Sequence, residues 1–239
     1  MRTFLTTLSL ALMLTACADA QTRTHSRGTT APPAGVPVKP GTELAPASFP
    51  WEKGEVDGRT YSNKSLGFEV TFPDTWLIGG DDFEEEMRSK GVDLELKAPD
   101  SSSAVSKARA AVILKHVQVL VNAFRSVNGA GSSAIVRISA EDLAPNPQIK
   151  DAVDYVDAVR ASYAAMRLPA DFRYSETQAE KLPNGKQFAF LDTTTKEGKK
   201  RMYVTVRNGV AVLFTISYEK ADDLETLRTV LGSGNFKLQ

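Results

Sequence analysis

Two Asn-Gly pairs, Asn184-Gly185 and Asn208-Gly209, separate apolar segments in the last third of the chain. Asn and Gly tolerate the positive φ angles of tight hairpins, so each pair predicts that the strands beside it are antiparallel neighbours. A polar turn near Glu197-Gly198 adds a third reversal. The predicted strands of this meander are residues 172–182, 187–194, 201–207 and 210–218.

An earlier strand is predicted at residues 66–72, where Phe68, Val70 and Phe72 alternate with polar residues and bury one face. Pro73-Asp74 ends this strand, and Trp76 is expected to cover the core. Helix-forming residues at 103–116 are followed by a β-branched run at 117–127, a Gly-rich turn from Asn128, and a second apolar run at 134–138. These segments predict a helix that leads into a hairpin.

Two more helices are predicted from apolar residues at helical spacing. Asn146-Pro147 supplies a cap and a first-turn proline for a helix that Leu168-Pro169 ends. Its apolar face consists of Ala152, Val156, Val159, Tyr163 and Met166. The last helix is predicted to begin at a capping box of Asp222 and Glu225 and to end at Gly232, with an apolar stripe of Leu224, Leu227 and Leu231. Strands grouped with strands, and helices at intervals, predict the α+β class.

Residues 1–16 have the layout of a secretory signal peptide, with Arg2, an apolar stretch and then small residues. The stretch is well short of the roughly 20 residues that a membrane-spanning helix needs. Leu14-Thr15-Ala16-Cys17 resembles the lipobox of bacterial lipoproteins, which implies that Cys17 is lipidated and becomes the new amino terminus. The alternative is cleavage after Ala18-Asp19-Ala20, which would release a soluble protein.

Cys17 is the single cysteine of the chain, so no intramolecular disulfide can form. A free thiol is at risk of oxidation in an oxidising compartment, and lipidation removes it. A diacylglyceryl group anchors stably where one acyl chain does not. The predicted location is therefore the cell envelope, on the outer membrane facing the periplasm in a Gram-negative cell.

Residues 17–59 are predicted to be a tether, because they are rich in Thr, Ala, Pro and Gly and have too few large apolar side chains to offset the entropy of ordering. The prolines favour an extended, semi-stiff spacer. His25 lies in this tether and is expected to be solvated. Residues 60–239 form one predicted globular domain, which is long enough to bury a sizeable core.

Residues 61–76 carry a recognisable pattern: Tyr61 and Asn63 precede a Gly67-Phe68 strand that ends in Pro73 and Trp76. The last strand, the helix after Asp222 and the closing Asn235-Phe236-Lys237 complete it. Together they resemble the PsbP-like domain family, which includes photosystem subunits and bacterial lipoproteins. The resemblance implies a central antiparallel sheet with helices on both faces, an α/β/α sandwich. No metal or cofactor residue of the family is carried over to this chain.

Charge and motifs narrow the function classes. The 29 basic and 29 acidic residues give zero net charge, which argues against a nucleic-acid partner or a polybasic lipid-binding role. His116 is the only histidine of the predicted domain and lacks visible partners for a hydrolase or metal site, so a structural role is favoured.

Two charged clusters have alternative interpretations. The acidic run at residues 81–86 offers carboxylates to a hard cation such as calcium, but lacks a Gly-punctuated calcium loop, so a solvated acidic surface is favoured. Lys196 with Lys199-Lys200-Arg201 predicts a basic patch at a hairpin tip. It would contact anionic lipid or an acidic partner, or merely protect a sheet edge.

The expected function is a non-catalytic interaction or assembly module of the cell envelope, bound to the membrane by its lipid anchor and to an envelope protein. No enzyme activity and no cofactor are expected. Two alternatives stay open. One is a carrier of a small apolar ligand or lipid, which needs a large apolar pocket. The other is a hydrolase, which needs two carboxylates that converge in a cleft.

Overall fold

The computed structural model describes residues 49–79, 115–125, 134–165, 168–196 and 198–237. The predicted helix at residues 103–116 lies outside this part except for Lys115 and His116, which form a turn. In chain order the described elements are β1 (Glu55–Asp57), β2 (Thr60–Asn63), β3 (Phe68–Thr71), β4 (Trp76–Gly79), β5 (Val117–Arg125), β6 (Ile135–Asp142), α1 (Ala152–Ala165), β7 (Arg173–Tyr174), β8 (Gln178–Lys181), β9 (Gln187–Thr195), β10 (Gly198–Arg207), β11 (Val210–Tyr218), α2 (Ala221–Ser233) and β12 (Asn235–Phe236).

The larger sheet has eight strands in the order β4-β5-β6-β11-β10-β9-β7, with β8 also paired to β9. The predicted meander is confirmed, because β9, β10 and β11 are antiparallel neighbours. Asn208 and Gly209 have φ angles of 49° and 75°, as a tight hairpin requires. The strand predicted at residues 172–182 is instead two short strands, β7 and β8, which both pair with β9.

The predicted hairpin after residue 116 is also confirmed, since β5 and β6 are antiparallel and Val117 lies opposite Glu141. A register shift between Val119 and Val121 marks a bulge in β5. Its predicted turn, from Asn128 to Gly131, lies outside the described residues. β6 extends to Asp142, four residues beyond the predicted end at 138.

The predicted fold class, α+β with helices on both faces of one central sheet, is wrong. The described chain is mostly β, with two helices and a second, four-stranded antiparallel sheet in the order β1-β2-β3-β12. This small sheet joins distant parts of the chain, because Asn235 and Phe236 of β12 pair with Glu69 and Phe68 of β3. One face of the large sheet is therefore covered by another sheet together with α2, which replaces the helical layer of an α/β/α sandwich.

Two apolar cores lie on opposite faces of the large sheet. The first lies between the two sheets and α2, and includes Phe68, Val70, Phe72 and Trp76, as the alternation at residues 66–72 predicts. The second lies under α1, which packs on β9 and β10. Its helical residues are Tyr155, Val156, Val159 and Tyr163. Of the predicted apolar face of α1, Met166 lies outside the described residues.

Both predicted helix starts are wrong. α1 begins at Ala152, not at Asn146-Pro147, because the carboxylate of Asp151 accepts the backbone N–H groups of Val153 and Asp154 at 2.8 and 2.9 Å. α2 has no capping box, since its N-cap residue Lys220 makes no side-chain cap hydrogen bond. The helix also runs past Gly232 to Ser233.

The described chain starts at Phe49, inside the segment that the sequence assigns to the tether. Trp51 is buried in the first core, and its ring centroid lies 5.3 Å from that of Phe49. β1 also lies before residue 60. No helix of the described residues is long and apolar enough to cross a membrane.

Candidate functional site

A surface groove of about 430 Å³ lies at the end of the large sheet where β6 ends and β10 turns into β11. It is lined by Pro50, Asp142, Leu143, Ala144, Pro147, Ile149, Lys150, Val206, Arg207, Asn208, Gly209 and Val210. Leu143 and Ile149 belong to the core under α1, whereas Val210 packs against the core between the sheets. The groove is thus lined by residues that pack against both cores.

Backbone hydrogen bonds fix the wall of this groove, which we define as residues 142–151. The N–H of Leu143 donates to the carbonyl of Gly209 at 2.8 Å, which ties the wall to the Asn208-Gly209 turn. The N–H of Ala144 donates to the Asp142 carboxylate at 2.9 Å. Further along, the N–H of Ile149 donates to the carbonyl of Asn146 at 3.0 Å. The wall is therefore a series of tight turns between β6 and α1.

The groove has more positive than negative charge. Lys150 and Arg207 line it with Asp142 as the acidic residue. The Asp142 carboxylate is already the acceptor of the Ala144 N–H, and a guanidinium N–H of Arg207 donates to the carbonyl of Lys237. The exposed ammonium of Lys150 is therefore the polar group best placed to meet a bound molecule.

A buried hydrogen-bonded pair, an acid and a tyrosine, joins the two elements that flank this wall. Glu141, the residue before the wall, is 1% exposed, and Tyr155 in the first turns of α1 is fully buried. The Tyr155 hydroxyl donates to Glu141 Oε2 at 2.6 Å. Burial raises the pKa of Glu141 to about 7, against the lowering effect of the Tyr155 hydrogen bond, and the nearby charge of Asp142 adds to the rise.

A second polar cluster joins α2 to the edge of the large sheet. Glu180 accepts hydrogen bonds from Arg228 Nε and from the Tyr203 hydroxyl, both at 2.9 Å. Burial acts to raise the pKa of Glu180, but these hydrogen bonds outweigh it and hold the pKa below its usual value. Each charge has a protein partner, so we assign this cluster to holding α2 in place.

The predicted basic patch is divided by the structure. Arg201 forms two hydrogen bonds of 2.7 Å to the Asp192 carboxylate and lies 4.1 Å from the centre of the Phe190 ring. Lys199 and Lys200 are consecutive residues of β10 and point to opposite faces of the sheet. Arg201 is consequently a structural residue, and Lys199 and Lys200 do not share one face.

The other predicted site residues are placed as follows. Cys17, His25 and the acidic run at residues 81–86 lie outside the described residues. His116 is partly buried in the turn before β5, where its carbonyl accepts the N–H of Asp142 at 2.9 Å. Within the described part of the chain, no group of three or more His, Cys, Asp or Glu side chains is arranged to hold a metal ion.

The chain is similar to several solved structures, of which two are described. The chain is similar to the solution structure of cyanobacterial PsbP (CyanoP) from Synechocystis sp. PCC 6803, with 15% identity and a TM-score of 0.40, over 77% of this chain and 98% of that one. It is also similar to a crystal structure from Bacteroides thetaiotaomicron VPI-5482, with 10% identity and a TM-score of 0.31, over 77% of this chain and 50% of that one. No family model matches the chain, and no curated protein matches it.

Proposed function

We propose that this protein is a lipid-anchored, non-catalytic interaction module of the cell envelope that binds a partner protein in the groove. The observation that carries the proposal is the groove itself, which combines aliphatic and proline side chains with an excess of positive charge. It lies beside the point where the chain from the proposed anchor enters the domain. Pro50, which follows the first described residue Phe49, lines this groove.

The proposed partner is an extended, acidic segment of an envelope protein. Aliphatic and proline side chains of the groove offer apolar contact, as grooves that bind extended peptides do. Lys150 and Arg207 outnumber Asp142 in the lining, so a carboxylate on the partner is favoured over an ammonium group. Phosphate or nucleic-acid binding is not favoured, because the whole chain has no net positive charge.

The proposed anchor is Cys17. Between Cys17 and Phe49 the chain reaches at most about 110 Å when fully extended, since each residue spans about 3.4 Å. A domain on such a tether is concentrated near the membrane and can still meet partners at a distance from it.

Replacement of Cys17 by serine is expected to move the protein from the membrane fraction to the soluble fraction. Serine offers no thiol for diacylglyceration, so the hydrophobic anchor is lost. Intact mass measurement of the mature protein should find acyl chains on wild type and none on Cys17→Ser, while Thr15→Ser serves as the matched control that keeps them. A mature wild-type protein that begins at Gln21 and carries no acyl chain would contradict the anchor proposal.

Photo-crosslinking in cells tests the groove. A photoreactive amino acid at Ala144, which is exposed in the groove, is compared with one at Lys199, which is exposed at the far end of β10. We expect Ala144 alone to give a defined protein adduct whose crosslinked peptide contains Asp or Glu. Adding Lys150→Glu should lower its yield about fivefold, since an apposed like charge costs about 1 kcal/mol or more.

Lys199→Glu is the charge-matched control and should leave the Ala144 adduct unchanged. The groove proposal fails when Ala144 and Lys199 give the same adducts, or when Lys150→Glu has no effect on the yield. Lipid adducts at Ala144 would instead favour the carrier alternative.

A further inference from the structure

Glu141 and Tyr155 do not line the groove, yet they join the two elements between which the groove wall runs. Glu141 is the penultimate residue of β6, and Tyr155 lies in the first turns of α1. Their hydrogen bond of 2.6 Å therefore connects the segment just before the wall to the segment just after it. A change in this contact acts on both ends of the wall.

Among the described residues, the carboxyl group of Glu141 has no counter-charge in direct contact. It forms no ion pair with any of the described residues; its side-chain hydrogen bond is the one from Tyr155. Arg137 lies on the same face of β6 as Glu141, four residues earlier. The Nε of Arg137 donates to Asn122 Oδ1 at 3.1 Å. An ionised Glu141 would thus be a buried charge held by a single neutral donor, which is unfavourable.

The charged and titratable groups of the neighbouring described segments include none that forms an ion pair with Glu141. Asp142 follows Glu141 in β6, and His116 precedes Val117, which lies opposite Glu141 in β5. Lys150 and Asp151 belong to the wall, and Tyr163 lies in α1. β11 contributes Ala211 opposite Glu141, which does not titrate. Asp142 adds negative charge, Lys150 is exposed, and Asp151 is occupied with the amides of Val153 and Asp154. Proton uptake is the direct way to neutralise the site.

We propose that the Glu141–Tyr155 pair is a proton-controlled latch that holds the groove wall when Glu141 is protonated and releases it when Glu141 ionises. Ionisation favours opening because water can solvate the carboxylate only when the wall and the start of α1 move away. A closed groove near pH 6 and a looser one near pH 8 follow. The consequence for a partner rests on the proposed function, but the latch itself does not.

The size of the effect follows from proton linkage. The pKa of Glu141 is about 7 in the closed form, where burial raises it, and 4.5 is its ordinary value in water. The open form binds fewer protons than the closed form between these values, so a rise in pH favours opening. Between pH 6 and pH 8 the opening equilibrium should increase about tenfold.

Amide hydrogen exchange of the mature protein without a partner measures this opening. The reporters are the N–H groups of Leu143, Ala144, Asn146, Ile149 and Lys150, which are all hydrogen-bonded within the closed wall or to its neighbours. After correction for the intrinsic pH dependence of exchange, wild-type protection should fall about tenfold from pH 6 to pH 8. Glu141→Gln removes the ionisable group and should show no such fall, whereas Glu55→Gln, at an exposed acid of β1, should behave as wild type.

A second measurement needs no variant and so is independent of any folding defect in Glu141→Gln. The ¹³C resonance of the Glu141 carboxyl in wild type should titrate with a midpoint near 7, together with the loss of wall protection. A midpoint near 4.5, or protection that is equal at pH 6 and pH 8, overturns the latch. Because no partner is present, that failure is distinct from a failure of the crosslinking experiment.

Discussion

Replacement of Phe214 by alanine is expected to lower the free energy of unfolding by about 3–5 kcal/mol, the usual cost of removing a buried phenylalanine ring. Phe214 in β11 is fully buried where the two sheets meet. Its ring lies edge-on to Phe68, Phe188 and Phe236, with centroid distances of 5.4, 6.0 and 5.9 Å. Alanine would leave a cavity among these rings and remove three aromatic contacts at once.

Urea unfolding, followed by the fluorescence of Trp51 and Trp76 in the same core, measures this cost. Phe214→Leu keeps most of the volume and should cost about 1–2 kcal/mol. Tyr174→Ala, at an aromatic residue that is 37% exposed, is the control for removing a ring away from the contact between the sheets. A loss for Phe214→Ala no larger than that for Tyr174→Ala would contradict the view that the aromatic cluster joins the sheets.

The meander was predictable because its determinants are local. Each hairpin is set by a short turn, and Asn208-Gly209 adopts the positive φ angles that those two residue types tolerate. The alternation at Phe68 and Val70 likewise identifies one buried face of β3 from the sequence alone.

The arrangement of two sheets was not predictable in the same way. β12 pairs with β3 although most of the domain's sequence separates the two strands. No turn joins them directly, so no turn motif predicts the pairing. β1, with three exposed residues, has no apolar alternation to identify it as a strand. A helix placed on each face of one sheet was therefore the wrong architecture, because the sequence does not reveal that the N-terminal strands form a covering sheet.

The predicted start of α1 was wrong for a more local reason. Asn146 and Asp151 are both suitable N-cap residues, and the pattern that follows fits either. The Asp151 side chain caps α1, and residues 142–151 instead turn to form the groove wall. A helix that started at Asn146 would have left no wall, so the sequence pattern does not predict the groove.

The latch residues had no distinguishing signal in the sequence. Glu141 follows Ser139 and Arg137 on the polar-looking face of β6, where alternation predicts exposure to water. Tyr155 belongs to the apolar side of α1, and its approach buries Glu141. Burial of an acid by the next helix along the chain is a tertiary effect, which the residue pattern within β6 does not predict.

Asn63, a residue of the sequence pattern at 61–76, has a structural role that its hydrogen bonds explain. It is 1% exposed, and its Nδ2 donates to the carbonyl of Glu52 at 2.8 Å and to the Tyr61 hydroxyl at 3.1 Å. Its Oδ1 accepts the N–H of Leu66 and the hydroxyl of Ser65, both at 2.8 Å. Asn63 thereby holds the turn before β3 and fastens the entering chain to the domain.

Asn63→Ala is accordingly expected to lower the free energy of unfolding by about 2–4 kcal/mol, because it removes four hydrogen bonds and leaves buried groups without partners. For a domain of this size the melting temperature should fall by about 5–12 °C. Thermal unfolding followed by circular dichroism measures the shift, with Lys64→Ala at the adjacent exposed residue as control. Equal shifts for Asn63→Ala and Lys64→Ala would mean that the entering chain is held by the burial of Trp51 and not by this side chain.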